Sequence, residues 1–426
     1  MQRRFSGLFT ALVLLTLVLT ACGGGSSGGA TTPSKVTVNW WHISTTDPGK
    51  TDLQNIANQY MKAHPNVTIK ITILENDAFK SKLTTVMQSG KPPDLFHSWG
   101  GGVMQQYAEA GLLKDITPQL QGDWGNSFNQ SALNVYGANG KYYGVPWDMG
   151  AVGFWYNKAI FTKLGIEAPQ TWTAFLNVVK QIKAAGITPL AVGEKEKWPG
   201  HFYWTYLAVR LGGKAAFDKA YSRSGSFADQ PFVQAGQYLQ QLVNLDPFQK
   251  GYLGSTYGDE QTLIANGKAA MELMGQWAPS GDAAVAKDKK GPELGFFPFP
   301  AVEGGAGAAN DIMGGGNGIA VGKNAPPEAV DFLRYFTNVE NQRKMAEDGL
   351  ILPTVKGAAD AVTNPQLQSV LKAVTNAGYF QLYYDQYLPP ALGEVVKDAT
   401  QGLFAKTQTP EAVAKAIEDS AASEIK

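Results

Sequence analysis

Residues 36–73 read VTVNWWHISTTDPGKTDLQNIANQYMKAHPNVTIKITI. Val36–Trp41 alternates β-forming residues, Asp52–Ala63 repeats its apolar residues at helical spacing, and Val67–Ile73 returns to alternation. Strand, helix and strand in this order predict the opening of an α/β fold with a mostly parallel sheet. The pattern continues with a helix over Phe79–Gln88, a turn at Lys91-Pro92-Pro93, a short strand at Asp94–Trp99, and a helix over Met104–Ala110 closed by Gly111. Ligand crevices of such sheets lie beyond the carboxyl ends of the strands. Trp41, His42, Ser98, Trp99 and Gly100 sit at those ends, and Glu75 and Asn76 follow the end of the second strand.

The chain changes character at two β-rich runs, Tyr142–Trp147 and Ala151–Asn157, joined through Asp148-Met149-Gly150. This is a candidate crossover between lobes, with Trp147 and Asp148 at its border. Helices are predicted over Trp172–Ala185, His201–Leu211, Pro231–Leu245 and Glu260–Asn266, the last leading into a strand at Ala269–Met274. After Trp277 comes a loop-rich stretch containing Phe296–Pro300 and the cluster Gly314-Gly315-Gly316-Asn317-Gly318, then a strand at Ile319–Val321. Pro326-Pro327 opens a helical remainder.

A length of 426 residues exceeds the usual domain of roughly 100–200, so two lobes, each with its own core, are expected. The 36 basic and 36 acidic side chains cancel, which leaves no electrostatic footprint for nucleic acid. Charged residues make up 17% and aromatics 11%, with 10 Trp and 17 Tyr, a supply of flat amphipathic surface suited to a polar uncharged ligand. One cysteine excludes a disulfide framework and a cysteine-based metal site. His42, His64, His97 and His201 lack zinc-hydrolase spacing. No cofactor or metal is expected.

Residues 1–21 carry Arg3 and Arg4, an apolar run from Leu8 to Leu19, and small Thr20 and Ala21 before Cys22, which reads as a secretory signal peptide. The tetrad Leu19-Thr20-Ala21-Cys22 resembles a bacterial lipobox, which implies that Cys22 becomes the lipid-bearing N-terminus. Residues 22–34, rich in Gly, Ser and Thr, then form a flexible tether to the membrane.

The lipobox and tether, the strand ending in Trp40-Trp41-His42, Pro93-Asp94-Leu95-Phe96 with Ser98-Trp99-Gly100-Gly101, and Gly144-Val145-Pro146-Trp147-Asp148 resemble the extracellular solute-binding proteins of bacterial ABC importers for oligosaccharides. So do Trp155-Tyr156-Asn157-Lys158, Gly267-Lys268-Ala269-Ala270-Met271 with Gly275-Gln276-Trp277, the glycines near Gly316, and the helical C-terminus. The ordered set covers nearly the whole chain after the tether. The resemblance implies a periplasmic-binding-protein-like fold: two α/β lobes, joined by hinge strands, that close on sugar and deliver it to the transmembrane subunits of an ABC permease. The expected division places 35–148 plus about 278–325 in the N-terminal lobe, and about 149–277 plus 326–426 in the C-terminal lobe. The expected protein is a monomer, outside the cytoplasm, lipid-anchored to the cell membrane.

A pyranose has one C–H-rich face and a rim of hydroxyls, so a sugar site needs aromatic platforms and fixed polar groups. Trp277 matches the family's stacking tryptophan; Trp41, Trp99 and Trp147 are further platform candidates, with packing as their competing role. Asp148, Glu75 and Asn76 are rim candidates, and Gly315 and Gly316 lie where a backbone could approach a ligand closely. Within Tyr379–Asp385, a segment that the resemblance brings to the cleft, Tyr384 and Asp385 are the expected contacts. No strand-end acid pair stands out for a glycoside hydrolase, the second reading; a lipoprotein that binds a protein partner is the third. The run Phe96–Gly102 resembles receptors for xylobiose and related xylo-oligosaccharides.

Overall fold

The structure, a computed structural model, describes residues 34–425. The expected signal peptide, Cys22 and residues 22–33 of the tether lie outside the described residues. The first seven strands are β1 (Val36–His42), β2 (Val67–Ile73), β3 (Leu95–Ser98), β4 (Gly137–Ala138), β5 (Lys141–Tyr142), β6 (Gly144–Pro146) and β7 (Gly150–Ala151). Next come β8 (Gly153–Asn157), β9 (Thr188–Leu190), β10 (Ala269–Met274), β11 (Leu294–Phe297), β12 (Ile312–Gly315), β13 (Gly318–Val321) and β14 (Phe380–Leu382).

The first lobe is built on a sheet of order β2-β1-β3-β13-β6. β1 runs parallel to both β2 and β3, pairing Val36 with Val67 and Trp40 with Leu95, as the opening stretch predicts. The helices Gly49–Ala63 and Asn76–Gln88 supply the crossovers. Strand alternation sends neighbouring side chains to opposite faces. Trp40 therefore enters the main core against Phe332 and Phe336, each ring 5.4 Å away, while Trp41 packs beside a smaller cluster that holds Phe79, Met87 and Phe96.

The second lobe carries a sheet of order β11-β8-β10-β9, and a third sheet, β14-β12-β7, lies beside the passages between the lobes. The expectation of mostly parallel sheets needs correction, because β13 is antiparallel to β3 and β6, and β8 is antiparallel to β10 and β11. A chain that returns from the other lobe enters the sheet from its far end and so runs against the strands already there.

The expected division of the chain also shifts. β11 joins the second sheet through Phe296 opposite Trp155, so of 278–325 only the end, Gly318–Val321, adds a strand to the first sheet. The helix Pro327–Phe336, assigned by expectation to the C-terminal lobe, packs its Phe332 and Phe336 on Trp40 of β1. Three passages connect the lobes: Trp147-Asp148-Met149 between β6 and β7, Gly316-Asn317 between β12 and β13, and Val362–Asn364, which follows the pairing of Val355 with Phe128 in the first lobe and leads into the helix Pro365–Thr375 beside β11 of the second. Arg210, fully buried on the helix Trp198–Tyr221, anchors the approach to β12 by donating to the carbonyls of Phe299 (2.7 Å), Ala309 (3.0 Å) and Asp311 (2.5 Å).

Candidate functional site

A cavity of about 400 Å³ opens between the lobes. The loop Ile43–Gly49 after β1, Glu75, Asn76 and Lys80 at the start of the second helix, and His97 and Trp99 at the end of β3 form its first-lobe wall. Trp198 and Phe202 from one helix, Tyr257 and Gln261 from another, and Trp277 with Ser280 and Gly281 from the start of the helix Ala278–Val285 form the opposite wall. Trp147, Asp148 and Asn317 from the passages, with Tyr383, Asp385 and Gln386, close the remainder.

Seven expected site residues therefore line one cavity: Glu75, Asn76, Trp99, Trp147, Asp148, Trp277 and Asp385. Its aromatic surface is continuous on the second-lobe side. Trp198 meets Tyr257 edge-on at 4.9 Å and Phe202 at 5.6 Å, and Phe202 stacks on Tyr383 at 5.4 Å. Trp277 is half-buried, and its indole lies over Gly275, where any Cβ would strike the ring. Trp99 rests edge-on against His97 at 4.4 Å, with the Lys80 ammonium 5.0 Å from its ring centre.

The polar groups divide into those already satisfied and those left open. His97 is buried, and burial, followed by the nearby His42 and Lys80, pushes its pKa down to about 3, so the imidazole is neutral. Its Nε2 has no partner among the described residues, and neither has Oδ1 of Asn76. Each such buried atom costs roughly 1–3 kcal/mol until a hydrogen bond forms, which a ligand hydroxyl would supply. Asp385 sits between His201 Nε2 (3.4 Å) and Lys80 Nζ (4.0 Å) and accepts from Gln386 Nε2 at 2.8 Å. Burial alone would raise its pKa; His201, Lys80, Lys397 and the Gln386 amide outweigh that and hold it below the ordinary carboxylate range. Asp148 is 2% exposed and accepts from Gln276, Asn317 and Leu352.

Seven expected residues stand outside the cavity lining, each for a visible reason. Trp41 faces away with the alternation of β1, its ring covered by Lys82 Nζ at 4.8 Å. His42 is buried beside Trp40 and accepts from Ser44 N at 3.2 Å. Ser98 Oγ caps the turn by accepting from Gly100 N at 3.0 Å, and Gly100 takes φ +70° with the Val135 carbonyl against it. The Tyr383 ring occupies the space beside Gly315, and the Asp148 carbonyl that beside Gly316, so these glycines admit protein atoms. Tyr384, 1% exposed, packs against Phe217 at 4.9 Å and Trp204 at 6.2 Å, while its neighbour Tyr383 faces the cleft.

Sequence reasoning missed His97, Lys80, Trp198, Phe202, Tyr257, Asn317 and Tyr383. His97 was within reach, because alternation along β3 puts it on the same side as Trp99. The three second-lobe aromatics lie on helices whose cleft-facing turn is set only by packing. Among the described residues, no group of three or more His, Cys, Asp or Glu is arranged to hold a metal ion.

Two α/β lobes around an aromatic cleft, linked by three passages, define a two-lobed solute receptor. Residues 43–343 match the model of the bacterial extracellular solute-binding proteins, and the chain belongs to that family. The multiple sugar-binding protein of Streptococcus mutans serotype c is 27% identical over 382 residues, which span 87% of this chain and 87% of the relative. A solved structure from work on xylan utilization by the thermophilic bacterium Caldanaerobius polysaccharolyticus shares 30% identity at a TM-score of 0.85, over 90% of this chain and 99% of its own. A chitin oligosaccharide binding protein shares 26% identity at a TM-score of 0.84, over 92% of this chain and 99% of its own.

Proposed function

We propose that this protein is the sugar receptor of an ABC importer, and that its cleft takes a short neutral oligosaccharide, xylobiose or another xylo-oligosaccharide. The observation that carries this reading is the pairing of half-buried Trp277 and Trp99 with unpartnered His97 Nε2 and Asn76 Oδ1 in one cavity of about 400 Å³. The rings offer platforms for the C–H face of a pyranose, and the open polar atoms await its hydroxyls. The similarity to the sugar-binding relatives supports the ligand class. The run Phe96–Gly102 and the similarity to the protein studied for xylan utilization favour a xylo-oligosaccharide.

Sugar touching both walls is bound best when the lobes are closed, and that difference in affinity shifts the population toward closure. The closed form then docks on the transmembrane subunits, with lipid on Cys22 keeping the receptor at the membrane. The protein itself does no chemistry on the sugar. Thermal unfolding with millimolar xylobiose, xylotriose, maltose, raffinose and chitobiose tests the reading: xylobiose or xylotriose raises the transition most. A transition that no sugar moves refutes it.

A further inference from the structure

We propose that Asp148 is the positioning residue of the cleft, its buried carboxylate joining the passages between the lobes to the segment that carries Trp277, so that its charge state governs how firmly the lobes hold their closed arrangement. The proposal rests on the reading of a cleft that closes on sugar.

Three donors converge on this one side chain, each from a different part of the chain. Gln276 Nε2 reaches Oδ2 at 2.7 Å from the end of β10, one residue before Trp277. Asn317 Nδ2 reaches the same oxygen at 2.7 Å from the passage between β12 and β13. The Leu352 amide reaches Oδ1 at 2.9 Å from the loop that follows the helix Val339–Glu347. Backbone bonds run alongside: Asn317 O accepts from Trp147 N (2.9 Å) and Asp148 N (3.1 Å), and Leu352 O accepts from Met149 N (3.0 Å). Two glycines make room for the junction, since a Cβ at Gly150 would strike the Gln276 side chain and one at Gly316 the Asp148 carbonyl.

Three donors already engage both oxygens, so Asp148 borders the cleft with a single lone pair, on Oδ1, left over. The titratable groups that face it are the phenols of Tyr136 and Tyr383; no lysine, arginine or histidine pairs with it among the described residues. Burial therefore dominates, and it lifts the carboxyl pKa to about 7 against the pull of the three donors. The ionised form accepts all three bonds. The protonated form gives up the charge that strengthens them, so the junction holds less firmly. In a loosened junction the carboxyl stays buried but loses a donor and holds its proton more tightly still, so tightening the junction releases a proton and sugar affinity rises as pH climbs from about 7.

The test uses the full chain, as wild type, Asp148→Asn and Gln276→Met. The first arm titrates xylobiose, xylotriose, maltose, raffinose and chitobiose between pH 5.5 and 8.5. The second needs no sugar: spin labels at Lys70→Cys and Lys180→Cys, both exposed and one in each lobe, in a Cys22→Ser chain report the inter-lobe distance over the same range. Wild type is expected to bind more tightly, and to change its distance distribution, as pH passes about 7. Asp148→Asn binds at least about tenfold more weakly at pH 8, with neither property depending on pH. Gln276→Met removes one donor from the carboxylate and moves the midpoint to higher pH, which a role in packing alone would not do; it also decides the matter if Asp148→Asn does not fold. Unchanged affinity, distances and midpoint in the variants overturn the proposal. If no sugar binds wild type, the sugar reading falls, and the distance arm alone judges Asp148.

Discussion

The Lys80 ammonium lies 5.0 Å from the centre of the Trp99 ring and 4.0 Å from Oδ2 of Asp385. One first-lobe cation thus braces an aromatic platform of its own lobe and an acid that also meets His201 of the second. Lys80→Met keeps the apolar stem and removes the charge, so Asp385 loses its lysine contact in a buried setting and keeps that of His201, whose pKa burial lowers. Sugar affinity is expected to fall about threefold to tenfold by calorimetry, with secondary structure unchanged. An affinity equal to wild type would separate this contact from binding.

Trp277 and Tyr384 form a paired comparison. If a sugar covers on the order of 50 Å² of the indole, Trp277→Ala removes about 1.2 kcal/mol of stacking, roughly a sevenfold loss of affinity. Tyr384 packs among Phe217, Trp204 and Phe227 away from the cavity lining. Tyr384→Phe is therefore expected to leave affinity within a factor of two. A larger loss in Tyr384→Phe than in Trp277→Ala would show that the cleft boundary is misplaced.

Gly315 and Gly316 carry a stability prediction. An alanine at either position drives a methyl into the Tyr383 ring or the Asp148 carbonyl, and such overpacking costs about 1–3 kcal/mol. Denaturant unfolding of Gly315→Ala and Gly316→Ala reads this directly, and wild-type midpoints in both would mean that the passages yield easily.

Glu260, Glu272 and Asp282 are all buried behind the Trp277 wall, and burial, reinforced at Glu260 and Asp282 by the charge of Glu272, raises all three pKa values. A carboxyl with a raised pKa in the folded state keeps a proton that the unfolded chain has already released near pH 4, so stability falls as pH rises from about 4 through the raised values. Unfolding free energy is expected to be lower at pH 8.5 than at pH 5.5, and Glu272→Gln to flatten that slope. A slope of opposite sign, or one indifferent to Glu272→Gln, contradicts this.

Periodicity carried the reading furthest where an element is amphipathic by itself. The predicted strand Val36–Trp41, helix Asp52–Ala63 and strand Val67–Ile73 correspond to Val36–His42, Gly49–Ala63 and Val67–Ile73. It failed where pairing is settled by distant chain. Leu294–Phe297 looked like loop because Pro292, Pro298 and nearby glycines punctuate it, yet it pairs with β8. Within the cleft, tryptophans at strand ends were legible, but which aromatics turn inward was not: Trp99 faces the cleft and Trp41 does not, and of the neighbours Tyr383 and Tyr384 only Tyr383 does. For the tyrosines the start of the helix Tyr384–Tyr387 decides that, and it is fixed by tertiary contacts such as Phe202 stacking on Tyr383.

Isothermal titration of the protein with xylobiose, xylotriose, maltose, cellobiose, raffinose and chitobiose, with Trp277→Ala alongside, tests the central claim most directly. The account predicts one molecule bound per chain, tightest for xylobiose or xylotriose, and weaker binding in the variant. No heat from any sugar with the folded protein, or equal affinity in Trp277→Ala, would contradict it.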